Sequence, residues 1–266
     1  MTKSWASSPT DMPAEEFLQA IRVAIPVSTI STARSLLVTL PNDCPSSVFS
    51  EAKYEPYDFI PVTKGDEIVG VYEKSANGRV FLPLTESILI ESDSSLMEFV
   101  AHADERPLAL LVKERQIVGL VTHADLQKLP VYTVAFAMAS VVEMQLMAWI
   151  RETTKRSHPG DEDAWMKYVD NRQTIENHYQ SSKKANVAID KLSCASFSEE
   201  VDAAVGLGLI SDREPELRKL IQLRNAVCHG KEIALVKERV EVLSSTIRSA
   251  GDLAIYISDK RKVKDK

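Results

Sequence analysis

The chain has 266 residues, of which 44% are hydrophobic and 26% charged, and it carries a formal net charge of -6. These values are typical of a globular protein with room for two modest domains. They argue against a general coat for nucleic acids, so we expect no DNA partner and only local contact with RNA.

The cysteines and the apolar runs bear on the compartment. Cys44, Cys194 and Cys228 are scattered and form no CxxC pair, which indicates neither a disulfide framework nor a zinc site. No uncharged apolar run reaches the roughly 18 to 20 residues of a membrane span, and the N-terminus lacks the apolar core of a signal peptide. We therefore expect a cytoplasmic protein with no bound metal and no membrane partner.

Residues 1–25 predict a polar start followed by one short helix. Asp11 suits an N-cap, Pro13 suits the first helical position, and the two glutamates that follow favour the first turn. The helix should end near Arg22.

Residues 26–130 contain an internal repeat. Each copy has an apolar run, a helical pattern and two more apolar runs: 37–43, 46–53, 59–62 and 68–72, then 88–93, 94–103, 108–112 and 117–121. Val62 and Val112, like Gly70 and Gly119, are offset by about fifty positions. Each copy therefore predicts a strand, helix, strand, strand unit.

The second copy ends in the motif Gly119-Leu-Val-Thr122-His123-Ala-Asp125. A carboxylate can accept both hydroxyls of a ribose, and a hydroxyl with backbone N–H groups at a helix start can receive phosphate. Motif and repeat together resemble a tandem pair of CBS repeats, a module that senses adenosine nucleotides. The resemblance implies that Asp125 holds the ribose and Thr122 meets the phosphate, with Gly119 and His123 as further members of the site.

Two observations limit this interpretation. The first copy has Glu73 and Ala76 where the motif has threonine and aspartate, so we expect at most one nucleotide site. Thr122 and Asp125 also suit a plain helix cap, and this alternative stays open. No cofactor is required; the expected regulatory ligand is AMP, ADP or ATP.

From Leu129 onward the pattern becomes helical. Residues 131–149 are apolar nearly all round, which predicts a central bundle helix or a dimer interface. Ser157-His-Pro-Gly160 ends this helical pattern. Glu143 lies inside this run, and Arg224 is its obvious partner. Further helices are predicted over 161–185, 198–206, 212–228 and 232–258, and the second of these is capped by Ser198 and the two glutamates that follow it. A short helix or strand-like link is predicted over 187–192. The predicted helical domain spans 131–258, and the basic segment 259–266 is predicted to be a disordered tail.

Arg224 occupies an unusual place in the predicted helix 212–228. It falls near the middle of an apolar arc that is formed by Leu217, Leu220, Ile221, Val227 and Cys228. Asn225 and His229 share the flank of this arc. A guanidinium in a packed seam requires an anion, a partner or a second subunit. The alternative is an arginine that reaches the rim or pairs with a core carboxylate.

The residues Arg224-Asn-Ala-Val-Cys-His229 resemble the motif of the HEPN family, all-α domains that cleave RNA or handle nucleotides. The resemblance implies a homodimer that pairs two motifs across its interface. RNA can be cut without metal when a base takes the 2′-OH proton, an acid protonates the 5′-oxygen and a cation stabilises the charge on phosphorus. His229 suits the acid and base roles. Arg224 is the charge stabiliser, and Asn225 would orient the phosphate or the imidazole.

The sequence thus predicts an α+β CBS pair of β-α-β-β repeats followed by an all-α bundle of HEPN type. The corresponding function is a ligand-regulated, metal-independent endoribonuclease with Arg224, Asn225 and His229 as catalytic residues and Glu143 in support. The alternative is a dimeric adenine-nucleotide sensor or scaffold without catalysis, in which Arg224 and His229 are structural.

Overall fold

A computed structural model of the chain describes residues 13–45, 48–49, 51–76, 78–185, 190–234 and 236–263. Within these residues the fold is mixed α+β. Its α-helices are α1 Ala14–Ala24, α2 Leu96–Ala101, α3 Leu129–Ser157, α4 Arg172–Lys184, α5 Phe197–Gly206, α6 Glu214–Cys228 and α7 Lys237–Val263. Its strands are β1 Thr32–Ala33, β2 Leu40–Pro41, β3 Phe59–Lys64, β4 Glu67–Ser75, β5 Gly78–Pro83, β6 Leu89–Glu91, β7 Leu108–Lys113 and β8 Gln116–Thr122.

The described strands form two four-stranded sheets, ordered β2-β3-β4-β5 and β1-β8-β7-β6. Each sheet contains an antiparallel hairpin, β3-β4 in one and β7-β8 in the other. The strand before each hairpin, β2 or β6, pairs in parallel with the first strand of that hairpin. Gly70 stands opposite Val62 in one hairpin and Gly119 opposite Leu111 in the other. The strands predicted from the repeat are therefore confirmed. They also meet face to face, since Ile68 and Val71 pack in one cluster with Leu108, Leu110 and Leu120.

The first repeat differs from its prediction in two places. The helix predicted over 46–53 is not an α-helix, because its described residues form a short 3-10 turn and bends between Pro45 and Pro56. An additional edge strand, β5, was not predicted because most of its side chains are exposed and show no buried alternation. The ring of Phe81 on β5 crosses Gly70 so closely that an added Cβ would lie 2.4 Å from it, which explains the glycine.

The helical half is built around α3, which packs against α5, α6 and α7. Pro130 starts this helix in its first turn, and the helix ends at Ser157, as the sequence predicts. Trp149, Trp165 and Phe197 are among the largest fully buried side chains. The same hydrophobic cluster includes residues of α1, α2, β7 and β8, so the second repeat and the helical half share one core.

α3 is also long and apolar enough to cross a bilayer by length and composition. In the fold, 61% of its most apolar window is buried. A helix at the centre of a bundle has the same composition because it is covered on most sides, and the contacts of α3 account for its apolar character.

Several predicted helix bounds were wrong. The helix predicted over 161–185 divides into a 3-10 helix, Ala164–Tyr168, and α4. The N-cap of α5 is Ser196, which forms a capping box with Glu199, and not Ser198. The predicted start of the last helix, residue 232, lies five positions before the observed start of α7 at Lys237.

The predicted disordered tail over 259–266 was also wrong in part, because α7 continues to Val263. Arg261 holds this last turn by donating to Gln145 Oε1 at 2.6 Å and to Glu152 Oε2 at 3.0 Å. Residues 264–266 lie outside the described residues, as do Asp11 and positions 187–189 of the predicted link 187–192.

Candidate functional site

A cavity of about 240 Å³ lies between the two repeats. Its walls include Thr122 and Asp125 from the end of β8 and the following turn, and Tyr57 and Phe59 from the first repeat. Ligand pockets usually measure about 300 to 1,000 Å³. At its present size the cavity holds only part of a nucleotide, and it must open to hold a whole one. The aromatic and apolar lining is suited to a base, and the carboxylate to a sugar hydroxyl.

Asp125 is buried, with 7% exposure, and both of its carboxylate oxygens are engaged. Oδ2 accepts the Thr122 backbone N–H at 2.7 Å and lies 3.2 Å from the Thr122 hydroxyl. Oδ1 pairs with Lys128 Nζ at 2.7 Å, and the same ammonium donates to the Ile30 carbonyl at 2.6 Å. The structure therefore contains the helix cap that the sequence left open as an alternative. Each carboxylate oxygen has a second lone pair, so the cap leaves acceptor capacity for a ligand.

Gly119 and His123 do not line this cavity. A Cβ at Gly119 would lie 3.0 Å from the Thr32 carbonyl oxygen, so the glycine permits the close approach of β1 to β8. Nε2 of His123 lies 2.8 Å from the carbonyl oxygen of Ala103, just beyond α2. Of the four predicted nucleotide-binding residues, the structure brings only Thr122 and Asp125 together at the cavity.

Arg224 on α6 faces Glu143 on α3. Its Nη2 lies 3.6 Å from Glu143 Oε1, with 31% and 18% of the two side chains exposed. Burial raises the pKa of Glu143, and the charge of Arg224 opposes this shift. Nε of Arg224 is buried and has no hydrogen-bond partner among the described residues. The guanidinium is thus half-buried and held by an ion pair, which leaves donor capacity for an anion.

The apolar arc predicted for α6 is only partly correct. Leu217, Leu220 and Leu223 are its buried residues, whereas Cys228 is exposed. Leu223 was not in the predicted arc because the arc was centred on Arg224, whereas the centre of the buried face lies about 40° away from Arg224 around the helix axis.

Asn225 and His229 are exposed. α6 ends at Cys228, His229 is its C-cap, and Gly230 follows with a φ of +60°, a left-handed conformation that closes many helices. Arg224 is turned toward α3 while the imidazole stands at the open end of the helix. Across the described part of the chain, no three His, Cys, Asp or Glu side chains form a group that could hold a metal ion.

Glu200 on α5 was not predicted and is the most deeply buried carboxyl near Arg224, with 1% exposure. Burial raises its pKa well above the usual value, and the neighbouring charge of Glu143 raises it further, while Arg151 and Arg224 lower it. The sequence did carry a signal: Phe197, Val201 and Ala204 define an apolar face of α5 that includes position 200. The predicted helix begins with a cap at Ser198, so Glu200 was part of that predicted cap and not of a buried face.

Three solved structures that are similar to this chain are CBS domains of a bacterial CNNM/CorC family Mg2+ transporter. The one in complex with ATP has 18% sequence identity and a TM-score of 0.33, and the match covers 44% of this chain and 94% of that one. The one in complex with the inhibitor IGN95a has 18% identity, a TM-score of 0.33, and coverage of 45% and 83%. A third has 18% identity, a TM-score of 0.32, and coverage of 45% and 82%. No protein-family model matches the chain, and no curated protein matches it.

Proposed function

We propose that this protein is a nucleotide-regulated, metal-independent endoribonuclease that acts as a cytoplasmic homodimer. Residues 26–130 form the sensing module of CBS type, and residues 131–258 form the catalytic module of HEPN type. The observation that carries the proposal is the arrangement at α6. Arg224 is half-buried and held by Glu143, while Asn225 and His229 are exposed at the C-terminal end of the same helix.

The proposed reaction cleaves one phosphodiester bond of an RNA strand. The 2′-oxygen attacks phosphorus as a base takes its proton, the bond from phosphorus to the 5′-oxygen breaks, and an acid protonates that oxygen. The products are a 2′,3′-cyclic phosphate and a 5′-hydroxyl. His229 carries the proton, Arg224 stabilises the charge on the phosphoryl oxygens, and Asn225 orients the phosphate. Glu143 supports the site by fixing the guanidinium.

A second copy of the chain completes this site. One histidine in each chain serves only one of the two proton transfers at a time, so a symmetric dimer supplies the base and the acid together. Exposed apolar residues on α3 support this proposal: Leu129 is 77% and Phe136 44% exposed. A partner helix would remove them from water.

The regulatory ligand that we propose is AMP, ADP or ATP, bound in the cavity at Asp125. The apolar and aromatic lining would contact adenine, and the free lone pairs of the Asp125 carboxylate would accept ribose hydroxyls. The first repeat lacks the corresponding threonine and aspartate, so we propose one nucleotide for each chain.

The test is cleavage of a labelled RNA by the full chain in EDTA, with and without AMP or ATP. We expect cleavage to persist in EDTA and to fall about 100-fold or more in His229→Ala, the usual range for loss of a general acid or base. His178→Ala is the matched control, since His178 is an exposed histidine on α4 and its loss should leave cleavage unchanged.

The second candidate is a dimeric adenine-nucleotide sensor or scaffold that does not cleave RNA. The ion pair between Arg224 and Glu143 favours this candidate, because an arginine with a purely structural role would form the same kind of pair. Binding of ATP that is lost in Asp125→Ala, together with no cleavage under any nucleotide, would support this candidate over the nuclease.

A further inference from the structure

The backbone that follows His229 is held by the segment that leads out of the nucleotide cavity. The hydroxyl of Tyr132 donates to the carbonyl of Lys231 at 2.8 Å. The backbone N–H of Ile233 donates to Oε1 of Gln127 at 3.2 Å. Ile233 is itself 6% exposed. Both contacts lie within four residues of the imidazole and join parts of the chain that are about one hundred positions apart.

The amide of Gln127 has a defined orientation. A backbone N–H can only donate, so the atom that faces Ile233 must be the oxygen. The same oxygen lies 3.0 Å from the Tyr132 hydroxyl, whose single proton is therefore shared between Gln127 and Lys231. The other end of the amide, Nε2, is buried and has no partner among the described residues. An unsatisfied buried donor is unfavourable, so this arrangement of the Gln127 amide carries an energetic cost in the folded protein.

Gln127 is connected to the cavity through one short segment of the chain. It belongs to the same short 3-10 helix, His123–Gln127, as Asp125. The next residue, Lys128, binds the Asp125 carboxylate and the Ile30 carbonyl and is the N-cap of α3. A ligand that binds the Asp125 carboxylate therefore acts within the same 3-10 helix as Gln127, two residues before it.

We propose that Gln127 is a positioning residue that sets the backbone after His229 and transmits changes at Asp125 to it. This inference rests on the proposed function, since it names the route by which the nucleotide would regulate the RNA-cleaving end of α6. The path is short: from the carboxylate of Asp125 through one turn to Gln127, and from its amide oxygen to the N–H of Ile233.

The test is amide hydrogen exchange of the full chain, followed by mass spectrometry on a peptide that covers 230–234. Gln127→Met keeps the size of the side chain and removes the acceptor. We expect the peptide to exchange about 3- to 10-fold faster, the usual effect of one hydrogen bond on local opening. Gln127→Glu keeps an acceptor oxygen and should restore slow exchange. Gln116→Met, at an exposed position on β8, should have no effect.

A double-mutant cycle separates transmission from simple support. Asp125→Asn should change exchange at 230–234 in the wild-type background and not in the Gln127→Met background. Asp125→Ala is the second variant, for use if the first leaves exchange unchanged because asparagine preserves the cap. Equal changes in both backgrounds, or no change with either variant, would overturn the inference, because a residue that only supports the loop would not couple to Asp125.

ATP, with its binding followed by calorimetry, provides the second arm. Where ATP binds, it should change exchange at 230–234 in the wild type and not in Gln127→Met; binding without that change contradicts the inference. Where ATP does not bind, the sensing half of the proposed function fails, and the cycle without ligand still decides the role of Gln127. Absence of RNA cleavage affects only the nuclease half.

Discussion

Glu143 and Glu200 place two carboxyl groups in the helical core beside the guanidinium of Arg224. The pKa values of both carboxyl groups are raised, chiefly by burial. Oε2 of Glu200 has no hydrogen-bond partner among the described residues. A buried carboxyl without a partner is more stable protonated. Burial therefore favours the protonated form of Glu200 in the folded protein.

Glu200→Gln should reduce the pH dependence of stability. Native Glu200 keeps its proton to a higher pH than the unfolded chain does, so the folded state binds more protons above the ordinary glutamate pKa of about 4.3. Wild-type stability should therefore fall as pH rises from about 4.3 through the folded-state pKa. The amide removes this loss and should raise stability at pH 8 relative to wild type.

Urea unfolding at pH 5 and pH 8 measures this difference. Glu241→Gln, at an exposed position on α7, is the control and should follow the wild type. Identical pH dependence in Glu200→Gln and wild type would show that the Glu200 side chain is ionised in the folded protein.

The Arg224 and Glu143 pair should show measurable coupling. An exposed ion pair contributes roughly 0 to 1 kcal/mol, and breaking a fully buried one costs about 3 to 5 kcal/mol. This pair is half-buried, so we expect Arg224→Ala and Glu143→Ala each to cost about 1 to 2 kcal/mol. The double variant should cost less than the sum.

The measurement is urea unfolding at pH 7 of the two single variants and the double variant. The exposed pair Arg239 and Glu232, 3.9 Å apart, is the matched control and should give additive effects. Additive costs at Arg224 and Glu143 would show that the 3.6 Å contact contributes nothing to stability.

At the scale of the element, the start of α5 decides whether Glu200 is buried. Ser196 accepts the Glu199 N–H at 3.4 Å, and Glu199 accepts the Ser196 N–H at 2.7 Å. This reciprocal cap sets the rotation of the helix and directs Glu200 inward. The hydroxyl of Ser198 instead accepts from Arg218 at 3.1 Å.

Ser196→Ala should destabilise the protein by about 1 kcal/mol, the usual effect of losing an N-cap. Ser198→Ala should lower stability by a smaller amount, because water can take the place of the Ser198 hydroxyl as the acceptor for the partly exposed Arg218 side chain. Thermal unfolding of both variants measures the difference. A larger cost for Ser198→Ala would place the functional cap where the sequence had suggested it.

At the scale of the whole molecule, the second sheet and the helices share one hydrophobic cluster, and a charged contact reinforces their junction. Arg248 on α7 donates to both carboxylate oxygens of Asp104, each at 2.9 Å, and also to the Ala101 carbonyl at the end of α2. The hydrogen bond from Arg248 is the main reason that the pKa of Asp104 is lowered. We therefore expect both halves to unfold in one transition.

Asp104→Asn should lower stability at pH 7 by about 1 to 2 kcal/mol, since it removes the charge from a bidentate contact. The folded-state pKa of Asp104 is depressed, so its contribution is present above the ordinary aspartate pKa of about 3.9 and is lost as pH falls through the folded value. The gap between variant and wild type should close in acid. Denaturation at pH 7 and pH 3 measures it, with the exposed Asp252→Asn on α7 as control.

Much of the fold could be predicted from local pattern. The hairpins β3-β4 and β7-β8 follow from apolar runs repeated about fifty residues apart, and the start and end of α3 follow from Pro130 and Ser157. β5 could not be predicted, because an edge strand with exposed side chains has no buried face to reveal it.

The sequence by itself determined which residue types stand at the candidate site: an arginine and a histidine at helical spacing, and a threonine and an aspartate after a strand. Spacing along one element fixes such relations because backbone geometry is regular. The sequence also suggested Arg224 as the partner of Glu143, which the structure shows. Only the tertiary structure decided that Glu200 is buried beside them and that Gln127 reaches Ile233. These contacts join positions far apart in the chain, and packing of whole elements, which no local pattern encodes, brings them together.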